Sequence, residues 1–251
     1  MIPWSDEQFL AVWLDGRNFA TQDGHSSAAP EMTIRAAFID QNNRLSGEGV
    51  LDSRVCDCCQ TSAARTLNGA IVVYRDRSET EIRDISLVRF QNGQWSQPRP
   101  VFEDGWEING CPVNGPSLAA VENHVAIAWF SEAQKTPRVK VTFSNDEGES
   151  FGQPITVDDG HPIGRVDAVI LPDGTALVSW VEKIEAEAEI RVRRILQTGS
   201  KSPSQTVAKT SLSRASGFPQ MAYSDGRIYF AWTESGQPST IRTAICKVQE
   251  N

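Results

Sequence analysis

Three cysteines fall within four positions in the stretch RVCDCCQTSA: Cys56, Cys58 and Cys59. A fourth, Cys111, follows in NGCPVNGP. Sulfur at this density has four readings. It can hold a metal, form disulfides, stay as buried free thiols, or serve as a redox or nucleophilic centre. A four-cysteine zinc site usually shows two separated C-x-x-C pairs, whereas here the pattern is C-x-C-C plus one distant cysteine. Vicinal Cys58 and Cys59 point to opposite faces if the chain is extended there. A disulfide from Cys111 to one member of the cluster would staple two parts of the fold together. No cofactor is expected, a thiolate-bound metal at the four cysteines being the alternative. The fifth, Cys246, sits in a strand-like run and reads as a small core residue.

Charged groups accompany the sulfur. Arg54 precedes the cluster, Asn114 follows Cys111, and Arg165 and Arg214 occupy later polar segments. Arg17 and Arg75 end apolar runs. Guanidinium forks bind carboxylates in a bidentate way, so these side chains suit an anionic ligand; the plainer reading is an ion pair between repeats. Asp57 and Asp167 are candidate acids, while Asp15 and Asp76 read as turn acids. His25 and His161 read as solvated loop residues, and His124 opens a strand.

The elements that position these residues come from a repeat. Five segments share an apolar run, an aromatic and a polar turn: LAVWLDGR, IVVYRDR, VAIAWFSE, ALVSWVE and IYFAWTE. Their aromatics, Trp13, Tyr74, Trp129, Trp180 and Trp232, are 61, 55, 51 and 52 residues apart. That period fits four-stranded propeller blades of the larger kind. The expectation is one all-β propeller domain, with units at roughly 1–55, 56–104, 105–158, 159–210 and 211–251. EAEAEIRVRR has a helix-like composition, yet its apolar residues alternate with charges, which predicts a strand. LPDGT and YSDGR predict tight hairpins. Unit one reads as beginning at its second strand and unit five as ending at its third, so the repeat looks clipped at both ends.

In a propeller, the loops entering each first strand and those between second and third strands share the ligand-binding face. The four entering loops, at 52–61, 105–116, 158–167 and 211–219, hold the four clustered cysteines, Arg54, Asp57, Asn114, Arg165, Asp167 and Arg214, while Arg17 and Arg75 fall on turns between second and third strands. Composition narrows the partners. With 24 Lys plus Arg against 32 Asp plus Glu, the net charge is −8, which argues against nucleic acid. No apolar run reaches the ~20 residues of a membrane span. The start lacks the basic and apolar regions of a signal peptide and enters a strand-like run at once.

SNDEGESF matches the Asp-box pattern Ser-x-Asp-x-Gly-x-x-aromatic through Ser144, Asp146, Gly148 and Phe151. It falls between the third and fourth strands of unit three, and RFQNGQWSQP is a degenerate relative in unit two. Motif and repeat together make the chain resemble the sialidase superfamily, particularly its bacterial BNR-repeat sialidase-like proteins, over its whole length. The resemblance implies a propeller whose funnel binds a small anionic or carbohydrate ligand. The clipped ends are compatible with an incomplete six-bladed form. Asp-boxes in that superfamily are structural. Its enzymes use an arginine triad, a Tyr–Glu nucleophile pair and an aspartic acid/base. By position, Arg165 and Arg214 would be triad members and Asp57 and Asp167 the acids. The Arg-Ile-Pro signature is absent, and Tyr74, Tyr223 and Tyr229 all fall in or next to strands. Three functions follow: ligand binding without established catalysis, exo-sialidase activity, or an interaction propeller stapled by cysteines. The resemblance also implies an exported or periplasmic protein.

Overall fold

The computed structural model describes residues 1–17 and 31–248, so His25 lies outside the described residues. The fold is all-β, a β-propeller type built from five antiparallel blade sheets. The chain divides into two compact units, Met1–Gly115 and Pro116–Asn251.

The first unit holds two sheets. One contains β1 (Ile2–Pro3), β2 (Gln8–Asp15), β3 (Thr33–Asp40) and β4 (Leu45–Asp52) in sequence order. The expectation that unit one starts at its second strand is therefore corrected. Ile2 and Pro3 pair with Leu10 and Phe9, a two-residue first strand too short to show periodicity. The other sheet contains β5 (Ser62–Arg65), β6 (Gly69–Arg75), β7 (Ile85–Gln91), β8 (Gln94–Trp95) and β9 (Arg99–Phe102). β8 and β9 both pair with β7 and occupy the outer position in succession. Leu10, Ile34, Val55, Val72 and Tyr74 form a dry core in this unit. Trp4, Phe38, Phe90 and Trp95 pack near it in tilted and edge-to-face pairs, with centroids 5.0–5.5 Å apart.

The second unit holds three sheets. The strands are β10 (Ser117–Val121), β11 (His124–Ser131), β12 (Arg138–Ser144) and β13 (Ile155–Thr156); then β14 (Pro162–Ile170), β15 (Ala176–Ile184), β16 (Glu187–Ile195) and β17 (Gln205–Thr210); then β18 (Gln220–Ser224), β19 (Arg227–Glu234) and β20 (Thr240–Lys247). β14 packs against β10 and β11 on one side and β18 on the other. The alternating EAEAEIRVRR stretch forms β16 with Ala188 and Ile190 buried. Burial of alternate residues from Ala188 to Ile190, ahead of a register break at Arg191, overrides the helical propensity of Glu and Ala. In YSDGR, Asp225 and Gly226 both have positive φ, 49° and 71°, the conformation a two-residue hairpin requires. No described helix is long and apolar enough to cross a membrane.

The repeated aromatics all lie on the second strand of their sheets, and Tyr74, Trp129 and Trp180 are buried. Trp13 and Trp180 donate their indole N–H to carboxylates two residues on, Asp15 at 3.0 Å and Glu182 at 2.5 Å. The second carboxylate also accepts from the His161 amide, fixing the loop ahead of β14. The turn after β12 closes on Asp146. Ser144 Oγ donates to its Oδ1 at 2.6 Å, and the Ser150 amide to the same oxygen at 2.9 Å. Gly148, at φ 77°, donates its amide to Ser144 Oγ. Cys246 is exposed, which corrects its reading as a core residue. It lies on β20, the outermost described strand of its sheet.

Candidate functional site

In the first unit, the segment between β4 and β5 is anchored from both sides. The Val55 amide donates to Met32 O at 2.9 Å and the Cys56 amide to Arg75 O at 3.0 Å, while Val55 bridges to Asp76. The chain then turns through residues 57–58, so Cys58 and Cys59 do not alternate as in a strand. All four sulfurs gather. Cys56 is disulfide-bonded to Cys59, and Cys58 to Cys111. Cys56 and Cys59 are buried, Cys58 partly so, and Cys111 and Asp57 are exposed.

The Cys111 segment is held independently of the sulfur. The Gly115 amide donates to Gln60 Oε1 at 2.9 Å, and Gln60 Nε2 donates back to Gly115 O at 3.2 Å. Arg75 Nε donates to Asn114 O at 2.6 Å. A Cβ at Gly115 would overlap the Gln60 carbonyl oxygen. Gly115→Ala is therefore expected to cost the first unit about 1–3 kcal/mol, read by denaturant unfolding. An unchanged midpoint would mean that the segment shifts freely.

Arg75 is fully buried. Its guanidinium also donates to Arg83 O and lies 4.8 Å from the Trp106 ring centre. Burial lowers its pKa, against the opposing fields of Asp104 and Asp84. It is a positioning residue, tying β6 to the segment that carries Asn114.

The open charge lies one turn further on. Glu81, in the loop between β6 and β7, has a left-handed φ of 62°. Arg77 contacts its carboxylate at 2.9 Å and Arg83 at 2.6 Å, and Arg54 lies 3.7 Å away. Arg54 also pairs with Glu31 at 3.1 Å. Hydrogen bonding from Arg77 holds Glu81 below the ordinary glutamate value of 4.5. Arg54 Nε and Arg83 Nη1 are buried without a partner among the described residues. Asp57 adds its field at Arg77. This arrangement concentrates guanidinium donors around one carboxylate and leaves two donors unused.

An acidic core lies behind it. Tyr74 donates to Asp52 Oδ2 at 2.7 Å, and burial, then Asp52, push the phenol up. Asp76 and Asp84 are both raised, mainly by burial, although amides of Arg77, and of Trp106 and Gly105, oppose this. On β2, Asp15 is held well below the carboxylate range, chiefly by hydrogen bonds from Arg17.

The second unit places its named residues on β14 and in the turn beyond β17. Arg165 and Asp167 lie within β14 rather than in a loop; Arg165, with a φ of 55°, falls in a register break that ends at Asp167. Arg165 donates to Ser216 Oγ and to the carbonyls of Leu212 and Ser213 at 3.2 and 2.9 Å. It fastens the 211–216 turn, which carries exposed Arg214. Both oxygens of Asp167 are engaged. Oδ1 accepts from Ser117 Oγ and the Ala168 amide at 2.8 and 2.9 Å, and Oδ2 from the Met221 amide at 2.6 Å. Burial raises its pKa against these bonds. The carboxylate joins β10, β14 and β18. His161 is exposed, and His124 Nδ1 lies 2.7 Å from Asn145 Oδ1. A cleft of about 860 Å³ opens at the other end of β14 from Arg165, lined by His124, Ile170, Asp173 and Tyr223.

Sequence reasoning did not single out Arg77, Glu81, Arg83, Asp52 or Trp106. A signal for three of them existed: RDRSETEIRD alternates charges across the loop after β6.

Fold and site together define a β-propeller protein with a sulfur cluster and an arginine-ringed carboxylate in its first unit. No protein-family model matches the chain, and no curated protein matches its sequence. Solved structures do. A protein of unknown function from Dyadobacter fermentans DSM 18053 has a TM-score of 0.63 at 10% identity, over 98% of this chain and 77% of that one. The Hadza microbial sialidase Hz136 has a TM-score of 0.50 at 16% identity, over 87% of this chain and 53% of that one. A GH43_12 protein retrieved from capybara gut metagenome has a TM-score of 0.50 at 11% identity, over 76% and 40%. The chain thus spans about half or less of the last two. At these identities the likeness shows the fold alone.

Proposed function

We propose that the protein is a sialidase-like propeller that binds a small anionic ligand, a carboxylated sugar, with the first-unit arginines as its carboxylate clamp. The five blades are read as one domain and the Asp146 turn as an Asp-box staple. Supporting the reading is the convergence of Arg54, Arg77 and Arg83 on Glu81 with two buried guanidinium N–H groups unused. A ligand carboxylate would take the place of Glu81 in that ring and engage the idle donors. Arg75 and Asn114 support the ring. Within the second unit, taken by itself, Arg165 positions the turn that carries exposed Arg214, the residue there suited to an anion.

The test is calorimetric titration with N-acetylneuraminic acid against a neutral hexose. Arg77→Ala is expected to weaken binding of the acid about 10–100-fold, the worth of a charge-assisted hydrogen bond. Glu81→Gln is expected to strengthen it, because the competing carboxylate is gone. Equal binding of acid and neutral sugar, or no response to either variant, sinks the proposal. The exo-sialidase reading keeps exposed Asp57 as its acid, since Asp167 has both oxygens engaged within the second unit. Turnover of a fluorogenic sialoside that is lost in Asp57→Asn would establish it.

A further inference from the structure

The sulfur cluster carries an inference that does not depend on the anionic ligand. Cys56 Sγ and Cys58 Sγ belong to different disulfides yet lie 3.7 Å apart. One sulfur each from Cys56, Cys58 and Cys59 lies within 4.8 Å of the others. The fourth sulfur, from Cys111, is bonded to one of these three. Four thiolates around tetrahedral zinc, with Zn–S near 2.3 Å, have S···S edges of about 3.8 Å. The spacing between the two bridges is that of such an edge. The turn at 57–58 supplies what an extended C-x-C-C could not, namely three sulfurs on one side of the chain.

The surroundings hold the ligands in place without the sulfur bonds. Val55 and Cys56 are fixed by backbone bonds to Met32 and Arg75. The Cys111 segment is fixed by Gln60 and by the Arg75 contact to Asn114 O. Breaking both disulfides therefore leaves the four sulfurs near one another. Cys56 and Cys59 are buried, Cys58 is half-buried and Cys111 is exposed, which provides a buried floor and an entry side.

We propose that the reduced cluster Cys56, Cys58, Cys59 and Cys111 is a four-thiolate zinc site, and that oxidation to the two disulfides releases the ion. The chemistry balances. Two equivalents of a dithiol reductant, each oxidised to its own disulfide, supply four electrons and four protons to the two disulfides, giving four thiols. Zinc binding then displaces the four protons. In reverse, two equivalents of a small-molecule disulfide accept four electrons from the four zinc-bound thiolates and leave as four small-molecule thiolates. Two S–S bonds form and Zn²⁺ leaves.

The experiment uses the full chain with Cys246→Ser, which removes the exposed thiol outside the cluster. The protein is reduced anaerobically with a phosphine, mixed with Zn²⁺ or Co²⁺, desalted and examined by native mass spectrometry and absorption. One metal per reduced chain is expected, none per oxidised chain, with the Co²⁺ form showing thiolate charge-transfer and tetrahedral bands. Cys111→Ser is expected to weaken Zn²⁺ binding by more than the roughly 10–100-fold that loss of an outer-shell partner costs. Adding a disulfide oxidant to the zinc form should release the ion to a chromogenic chelator. A reduced chain that retains no metal overturns the proposal, whether it stays folded or unfolds without rescue by Zn²⁺. Unchanged affinity in Cys111→Ser also overturns it. Should that variant fail to fold, the Co²⁺ spectrum of the parent chain decides by its thiolate count.

Discussion

Cys58→Ser with Cys111→Ser is expected to lower the stability of the first unit by about 4 kcal/mol under oxidising conditions. The bridge closes a loop across 53 positions, and cross-linking a loop of that size removes about 4 kcal/mol of chain entropy from the unfolded state. Cys56→Ser with Cys59→Ser closes only 3 positions and is expected to cost about half as much. The ranking is itself a test, because burial alone would predict the opposite: Cys56 and Cys59 are the buried pair. Denaturant unfolding without reductant measures both. With reductant the difference between each variant and the parent should shrink towards zero. A loss below about 1 kcal/mol for the long bridge would mean that Gln60 and Arg75 already restrict the segment as tightly as the covalent bond does.

Trp180→Ala is expected to cost the second unit about 3–5 kcal/mol, the range for deleting a large buried aromatic. Trp180 is completely buried on β15, its indole N–H is bonded to Glu182, and the Arg193 guanidinium lies 5.7 Å from its ring. Trp180→Phe separates these contributions. It keeps most of the apolar contact but removes the donor, and should cost about 1–2 kcal/mol. Glu182 retains the His161 amide in that variant, so its carboxylate is not stranded. If Trp180→Phe proves as damaging as Trp180→Ala, the hydrogen bond rather than the packing holds this blade. Trp232, partly exposed on the corresponding strand β19, should respond far less to the same change.

Glu81 contributes to the acid limb of the first unit's stability, beside Asp15, which Arg17 holds low. The folded value of Glu81 is lowered by Arg77, so its contribution is present above the ordinary value of 4.5 and is lost as pH falls through the lowered one. Glu81→Gln should flatten that limb for the first unit in unfolding measured from pH 6 down to pH 3. A limb unchanged by the substitution would place the acid sensitivity elsewhere.

Much of the architecture was legible as pattern. The aromatic recurring near every 50 residues marks the second strand of each sheet, because that position repeats with the blade and is at least partly buried in all five. Period-two alternation identified β16 against its helical composition, and the Asp-Gly pairs identified the hairpins. β1 was missed because two residues carry no period, and Cys246 was misplaced because strand membership does not say whether another strand covers it.

The candidate site was legible only in part. Sequence placed the cysteines, Arg54 and Arg75 in neighbouring loops, since spacing along a repeat determines which loops share a blade end. It did not separate Arg75, spent on carbonyls in the interior, from Arg77 and Arg83, which face a carboxylate. Nor did it show that Asp167 has both oxygens occupied while Asp57 is exposed. Amino-acid order by itself determined the fold class, the blade period and the clustering of sulfur. Each of these depends on local alternation, turn chemistry or proximity along the chain. Only the tertiary structure decided which arginine donors remain unused, which carboxylates are joints, and that a turn brings vicinal cysteines to one side. Those properties depend on partners distant in sequence, and a single side chain's chemistry is set by the groups that fill its remaining valences.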